Sequence, residues 1–429
     1  MKSIKKNFWG ELGRDFWLYR LGQAISISGD VCSSIALSWW ILEKTGSAAK
    51  LATIMSPAMM VSVFLLPLLG PLGDKFSRRK LILIGDGWRA IFTLMLAAMA
   101  YYDIFNVCLL VALYIMLALG TAFYRVGASS IVPQLVPPAL LGRAIQQSQA
   151  ISSTGTVLGG VVGGVLVTGL GISGAFLIDG ISYVIAVAAT FAIVVKVMPV
   201  TPIKEGNPVA VWMGDVKDGF RMVYKIPVRF WLSILAAFLN FAIAPMNIAL
   251  PVLVKEARNM PPWFLGALAS SRSLGVILAA LLLGWISKKI YQDVLLVLSI
   301  ITIGLGIIAM PWTPNIFLPP LMMFFIGAAF ACFNISVSTQ DSLALPDNFR
   351  ARAGAITSFM CHSTAPLGNM LGGILIAIFG LNMAMTACGL AVSASACLLF
   401  LVPKFSEFYR LPPEKATVFF KENYPDAFN

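Results

Sequence analysis

The chain is a succession of apolar runs, most of them twenty residues or longer, separated by short polar loops. A run of about 20 residues crosses the hydrocarbon core of a bilayer as one helix. Twelve runs lie near 16–42, 47–72, 81–101, 106–125, 145–169, 173–197, 228–254, 263–286, 293–311, 315–339, 355–379 and 381–403. Lipid offers no water to open backbone groups, so each run is expected to be helical. Apolar residues make up 59% of the chain and charged residues 12%, which excludes a soluble domain of this length. The expected fold is an all-α membrane protein with twelve transmembrane helices.

The twelve runs divide into two copies of one unit. Pro137, Arg143 and Ala144 return 209 positions later as Pro346, Arg352 and Ala353. Leu158, Gly159, Gly163, Gly164 and Gly171 return at the same offset as Leu367, Gly368, Gly372, Gly373 and Gly380. Repeats in the same chain order are the pattern of transporters built from two six-helix halves. The expected divisions are a first bundle over 1–197, a linker over 198–227, a second bundle over 228–403 and a tail over 404–429. Within the linker, DVKDGFRMVYK alternates charged with bulky apolar residues and suits a helix lying on the membrane surface.

Basic residues set the orientation. Of 31 Lys and Arg, 25 fall on the side of the N-terminus and four on the other, with Arg89 and Arg272 inside spans. Positive charge stays inside, so both termini are expected to be cytoplasmic. The net charge of +12 then reflects topology and anionic lipid, with no nucleic-acid partner. The first run is too long for a signal peptide and is read as a span. The six cysteines lie in or beside apolar runs without C-x-x-C spacing, and there is one histidine, so neither disulfides nor a metal site is expected. No cofactor is implied, and no nucleophile–base set or phosphate loop suggests an enzyme.

Charges inside spans must face protein or a watery cavity, because each costs about 3 kcal/mol at the bilayer centre. Asp30 falls near the middle of span 1 and Arg272 near the middle of span 8. Asp30 is the candidate for the coupling proton, with Arg272 tuning it or holding an anionic cargo group; a permanent ion pair or two unrelated buried groups are the other readings. Asp86 and Arg89, three apart, can meet on one helix face as a local bridge. Asp179 reads as a packing or capping aspartate. His362 could titrate near neutral pH or serve as a hydrogen-bonded structural group. Trp39, Trp40, Phe241 and Phe330 either line an apolar cavity or pack.

Between spans 2 and 3 the chain reads GPLGDKFSRRK, Gly70 to Lys80. This resembles the signature loop of the major facilitator superfamily, G-x-L-x-D-R-x-G-R-R, with Gly70, Leu72, Asp74, Lys75, Arg78 and Arg79 matching and Ser77 in place of a glycine. The resemblance implies a lock on one transport state by Asp74, with Arg125 at the inner end of span 4 as partner. Gly155, Gly159, Gly160, Gly163 and Gly164 resemble the family's antiporter motif, with Gly160 in place of its proline. Small residues at this spacing let two helices approach closely. With GQAIS at 22–26, EKTGSA at 43–48, GTAF at 120–123 and FLIDGISYVIA at 176–186, the chain is similar to the macrolide-efflux and enterobactin-exporter branch.

That resemblance implies a monomer in a bacterial plasma or inner membrane, embedded in membrane lipids. It would export an amphipathic drug-like molecule or a siderophore against inward proton flow, with a small-molecule cargo bound near the midplane between the bundles. The span-4 position that is basic in the family holds Met116 or Leu117 here. A lysophospholipid flippase, an importer of a small metabolite or siderophore, and a non-transporting receptor or scaffold are the alternatives.

Overall fold

A computed structural model describes residues 11–69, 76–128, 131–137, 140–194, 208–345 and 347–425. Every regular element among the described residues is helical. Among the described residues ten stretches are long and apolar enough to cross a membrane, and two of these, Arg143–Ala192 and Ala353–Leu401, run to 50 and 49 residues. Either is about twice the length a bilayer needs. Gly171 (φ 73, ψ −177) divides the first and Gly380 (φ 78, ψ 165) the second. Side chains are nearly excluded from that backbone region, so glycine at both points permits the break. The two glycines are 209 apart, at the repeat offset.

Among the described residues twelve spans result; most of their ends lie within a few residues of the expected ones, and α11 starts eight residues earlier. They are α1 Arg14–Thr45, α2 Ala48–Leu69, α3 Arg78–Tyr101, α4 Val107–Ala128, α5 141–170 and α6 172–192. The second set is α7 Pro227–Ala257, α8 Pro262–Ile286, α9 Gln292–Ala309, α10 Leu318–Ala344, α11 347–379 and α12 381–398. Ser77, where the family loop has glycine, is the N-cap of α3 and accepts from Lys80 N at 3.4 Å.

The chain forms two compact units. One comprises 1–44, 57–203 and 260–270, the other 45–56, 204–259 and 271–429. The start of α2 falls in the second unit and the start of α8 in the first, and glycines stand at both contacts. A Cβ on Gly164 would meet Trp263 Cα at 2.5 Å, and one on Gly373 would meet Ala52 Cβ at 2.5 Å and Ala48 O at 3.1 Å. Backbones that close belong to one packed body.

In the first unit, α5 presents Gly155, Gly159 and Gly163 to successive turns of α1. Cβ atoms there would strike Ala24 O, Ser28 Cα and Cys32 Cα at 2.9, 2.8 and 2.8 Å. Gly160 and Gly164 face the start of α8 on the adjoining side of α5, and Ser270 Oγ donates to Val157 O at 2.9 Å. In the second unit, α11 repeats the device with Gly372 against Pro245 of α7. The aromatics divide as well: Trp40 is buried against Phe105 and Phe176, so it packs and lines no cavity.

The linker helix Pro208–Lys225 packs along α7 and the start of α11. The tail folds into two helices, Phe405–Tyr409 and Pro413–Asn423, docked on the second unit. Phe408 stacks on Phe420 at 4.8 Å, Gln340 of α10 donates to Phe408 O at 2.9 Å, and Arg410 pairs with buried Asp293 at 2.9 Å.

Candidate functional site

Asp30, Asp86 and Arg89 come together inside the first unit. In the sequence Asp30 stands apart from the other two; α1 and α3 bring them to one guanidinium. Arg89 is 3% exposed and donates through Nη2 to Asp86 Oδ1, the expected one-turn pair. Its Nη1 lies 3.8 Å from Asp30 Oδ2. Gln23 Nε2 on α1 donates to the other oxygen of Asp86 at 3.0 Å, and Tyr183 on α6 donates its hydroxyl to Asp30 Oδ1. The guanidinium is held between the rings of Tyr124 and Tyr183, 4.3 and 4.4 Å from their centroids. Cations favour the faces of aromatic rings, so these tyrosines fix Arg89 on the sides its carboxylates leave open.

The two carboxylates differ in access. The Asp86 side chain is fully buried, whereas that of Asp30 keeps 44% exposure. One arginine therefore serves a closed, hydrogen-bonded carboxylate and an open, more distant one. Arg125, on α4, adds positive charge within reach of Asp30.

The other predicted residues have different surroundings. Arg272 is exposed on α8, in the second unit, with its guanidinium 5.4 Å from the Phe330 ring centre, and the groups holding Asp30 are Arg89 and Tyr183. His362 is exposed at the end of the helix Asp347–His362. Gly70 and Asp74 lie outside the described residues. Arg79 reaches the end of α6, where Nε donates to Thr190 O at 3.1 Å and Nη2 to Phe191 O at 2.5 Å. A basic side chain there satisfies carbonyls that a helix end leaves open. Arg78 lies beside it at the start of α3.

The second unit carries an ion pair that the sequence did not single out. Arg229 of α7, 4% exposed, pairs with Asp341 of α10 at 3.1 Å and donates to Thr357 Oγ1 of α11 at 3.0 and 3.1 Å. Arg229 sits just inside the start of a span, where it reads as one more loop charge.

A family model of the Major Facilitator Superfamily matches residues 21–368. The chain belongs to that superfamily. It is a multi-pass membrane transporter and not an enzyme. Macrolide efflux protein A of Streptococcus pyogenes is 22% identical over 403 residues, covering 92% of this chain and 97% of that protein. Multidrug efflux pump Tap of Mycobacterium tuberculosis is 22% identical over 398 residues, covering 89% of this chain and 92% of that protein. Among solved structures, nucleoside transporter NupG has a TM-score of 0.72 at 14% identity, over 93% of this chain and all of that one. A bacterial homologue of the human lysosomal transporter Spinster has a TM-score of 0.67 at 15% identity, over 93% and 98%. The expected family, fold and transporter class are thereby borne out.

Proposed function

We propose that the protein exports amphipathic, drug-like molecules from a bacterial cell across its plasma membrane, driven by inward proton flow, with both termini cytoplasmic. The relatives named for macrolide and multidrug efflux support the cargo class and the direction. The charge asymmetry of the loops supports the orientation.

The observation that carries proton coupling is the unequal sharing of Arg89. Asp86 is closed off and holds the arginine at short range, so it is the permanent counter-ion. Asp30 is open and stands 3.8 Å away, so it is the carboxylate that can exchange a proton. Protonation would release Asp30 from Arg89, which has Asp86 to retain it. The contacts of α1 with α3 and α6 then change without leaving a buried charge unpaired. Arg272, exposed and stacked on Phe330, is the candidate for anionic groups on cargo. Loop 70–80 is read as the lock on one state, with Asp74 and Arg125 in the roles the family implies and Arg79 tying the loop to α6.

The test is uptake of a radiolabelled macrolide into inverted vesicles under an imposed pH gradient. Wild-type protein is expected to concentrate the drug, and Asp30→Asn to lose gradient-driven uptake while still binding it. Equal uptake by Asp30→Asn overturns the coupling role. A deletion strain unaltered in sensitivity to macrolides and other amphipathic drugs overturns the cargo class.

A further inference from the structure

Asp179 is a buried carboxylate that the mechanism above does not use. It lies about 10 Å along α6 and is 2% exposed. Among the described residues no Lys, Arg or His comes within ion-pair distance of it; the cation whose charge reaches it is Arg89, which already serves two other carboxylates. The groups facing it are Asp30, Ser33 and Cys32 from α1, Tyr114 from α4, and Ser182 and Tyr183 from α6. The site is tightly closed. A Cβ on Gly29 would run into Asp179 Oδ1, would meet Ser182 Oγ at 2.5 Å and would stand 3.1 Å from Asp179 Cα.

Hydrogen counting decides what form of the carboxyl this site accepts. An ionised carboxylate has about four acceptor positions to fill. Two hydroxyl oxygens are in reach, Ser33 Oγ 2.5 Å from Oδ2 and Ser182 Oγ 3.3 Å from Oδ1. A serine has one hydrogen to give. That of Ser182 is directed at the Asp179 backbone carbonyl, 2.7 Å away. The side chain therefore receives one hydroxyl hydrogen, from Ser33, and the remaining contact pairs two oxygens that need a hydrogen between them. A neutral carboxyl supplies it; an ionised one would stand at membrane depth with one donor and no counter-ion.

We propose that Asp179 is a second proton-binding site, whose carboxyl carries a proton between α1 and α6 while Asp30 is ionised against Arg89. Ser33 on α1 donates to one oxygen and the carboxyl's own hydrogen goes to Ser182 Oγ from the other, so the neutral carboxyl sits at a contact of α1 with α6 that only Gly29 leaves room for. The inference rests on the proton-coupled reading only for the state assigned to Asp30.

The test is infrared difference spectroscopy of the purified full-length chain in lipid at neutral pH. The C=O stretch of a protonated carboxyl is expected in wild type, lost in Asp179→Asn and kept in Asp30→Asn. Ser33→Ala, which keeps the carboxyl and removes its 2.5 Å partner, should shift that band to higher frequency. If Asp179→Asn does not fold, the Ser33→Ala shift carries the test. A spectrum with no protonated-carboxyl band that responds to either variant, or with loss of a carboxylate band in Asp179→Asn, overturns the proposal. Failure of the vesicle experiment on Asp30 would leave this band in place, so the two readings fail separately.

Discussion

A single methyl group placed on α5 tests whether its glycines set the distance between helices. A Cβ at Gly159 would lie 2.8 Å from Ser28 Cα, 2.6 Å from Ser28 O and 3.0 Å from Val31 Cβ. Carbon atoms rest about 3.5–4.0 Å apart, so α1 must retreat by roughly 1 Å to admit the methyl. Two of the three obstructing atoms are backbone, which no rotamer change relieves. Gly87, inside α3, has open space where its Cβ would stand, with nothing within 4 Å. Both substitutions to alanine gain about 0.5–1 kcal/mol from the lower backbone entropy of alanine. Only the first incurs an overpacking cost, about 1–3 kcal/mol. The propensity gain cancels in the comparison, so Gly159→Ala should be less stable than Gly87→Ala by about 1–3 kcal/mol. For a chain of this size that is a separation of a few degrees in thermal midpoint. Thermal unfolding of both variants in the same detergent reads it directly. Equal midpoints would refute the claim that α1 and α5 touch backbone to backbone.

Arg89→Met leaves the fully buried Asp86 carboxylate without a counter-ion and should cost about 3–5 kcal/mol. Adding Asp86→Asn should restore much of the lost thermal midpoint; an unchanged midpoint in Arg89→Met alone would disprove the cluster. In the docked tail, burial of Tyr409 raises its phenol well above the usual 10.0. The folded state favours the neutral form, so this part of the docking is complete below pH 10 and lost as pH rises through the folded value. Limited proteolysis should release the tail only at strongly alkaline pH, and Tyr409→Phe should remove that dependence.

What was legible in the sequence was what a period or a repeat encodes. Helix number followed from run length, and Gly171 and Gly380, where the structure breaks two long helices, stand in the sequence as partners at the 209-residue offset. Glycine leaves a readable trace because spacing alone says which helix face is bare. The polar cluster left less. Asp86 and Arg89 are one turn apart and could be paired on paper; Asp30 joins them only through the packing of α1 on α3. Tyr124 and Tyr183 gave no signal, because an aromatic in an apolar run reads equally as belt, packing or site. The link drawn between Asp30 and Arg272 rests on depth alone, and depth carries no information about which helices are neighbours; the arginine beside Asp30 is Arg89. Arg229 and Asp341 leave no trace for the opposite reason, since both stand near the ends of spans, where charges are ordinarily solvated.

The repeat also shows which unit holds the chemistry. Moving 209 positions along the chain takes Asp86 to Leu295, Arg89 to Leu298, Asp179 to Cys388 and Tyr183 to Val392. On the first helix of each unit the packing gives the register: Gly163 meets Cys32, Gly372 meets Pro245, and so Asp30, two before Cys32, corresponds to Ile243. Each group of the acidic cluster thus has an apolar counterpart in the second unit. Glycines that fix helix separation are retained in both copies, because both bundles need the close contact. Buried charge is not needed for the fold, since the second unit builds the corresponding helices without it. Its own buried charges, Arg229 with Asp341 and Asp293 with Arg410, sit near the ends of α7, α10 and α9, where the cost of burial is lower. Two carboxylates held around one arginine at membrane depth, with a third buried carboxyl beside them, are therefore an addition to a scaffold that folds with isoleucine, leucine and cysteine in their place, and a working role in proton exchange accounts for an expense that stability does not.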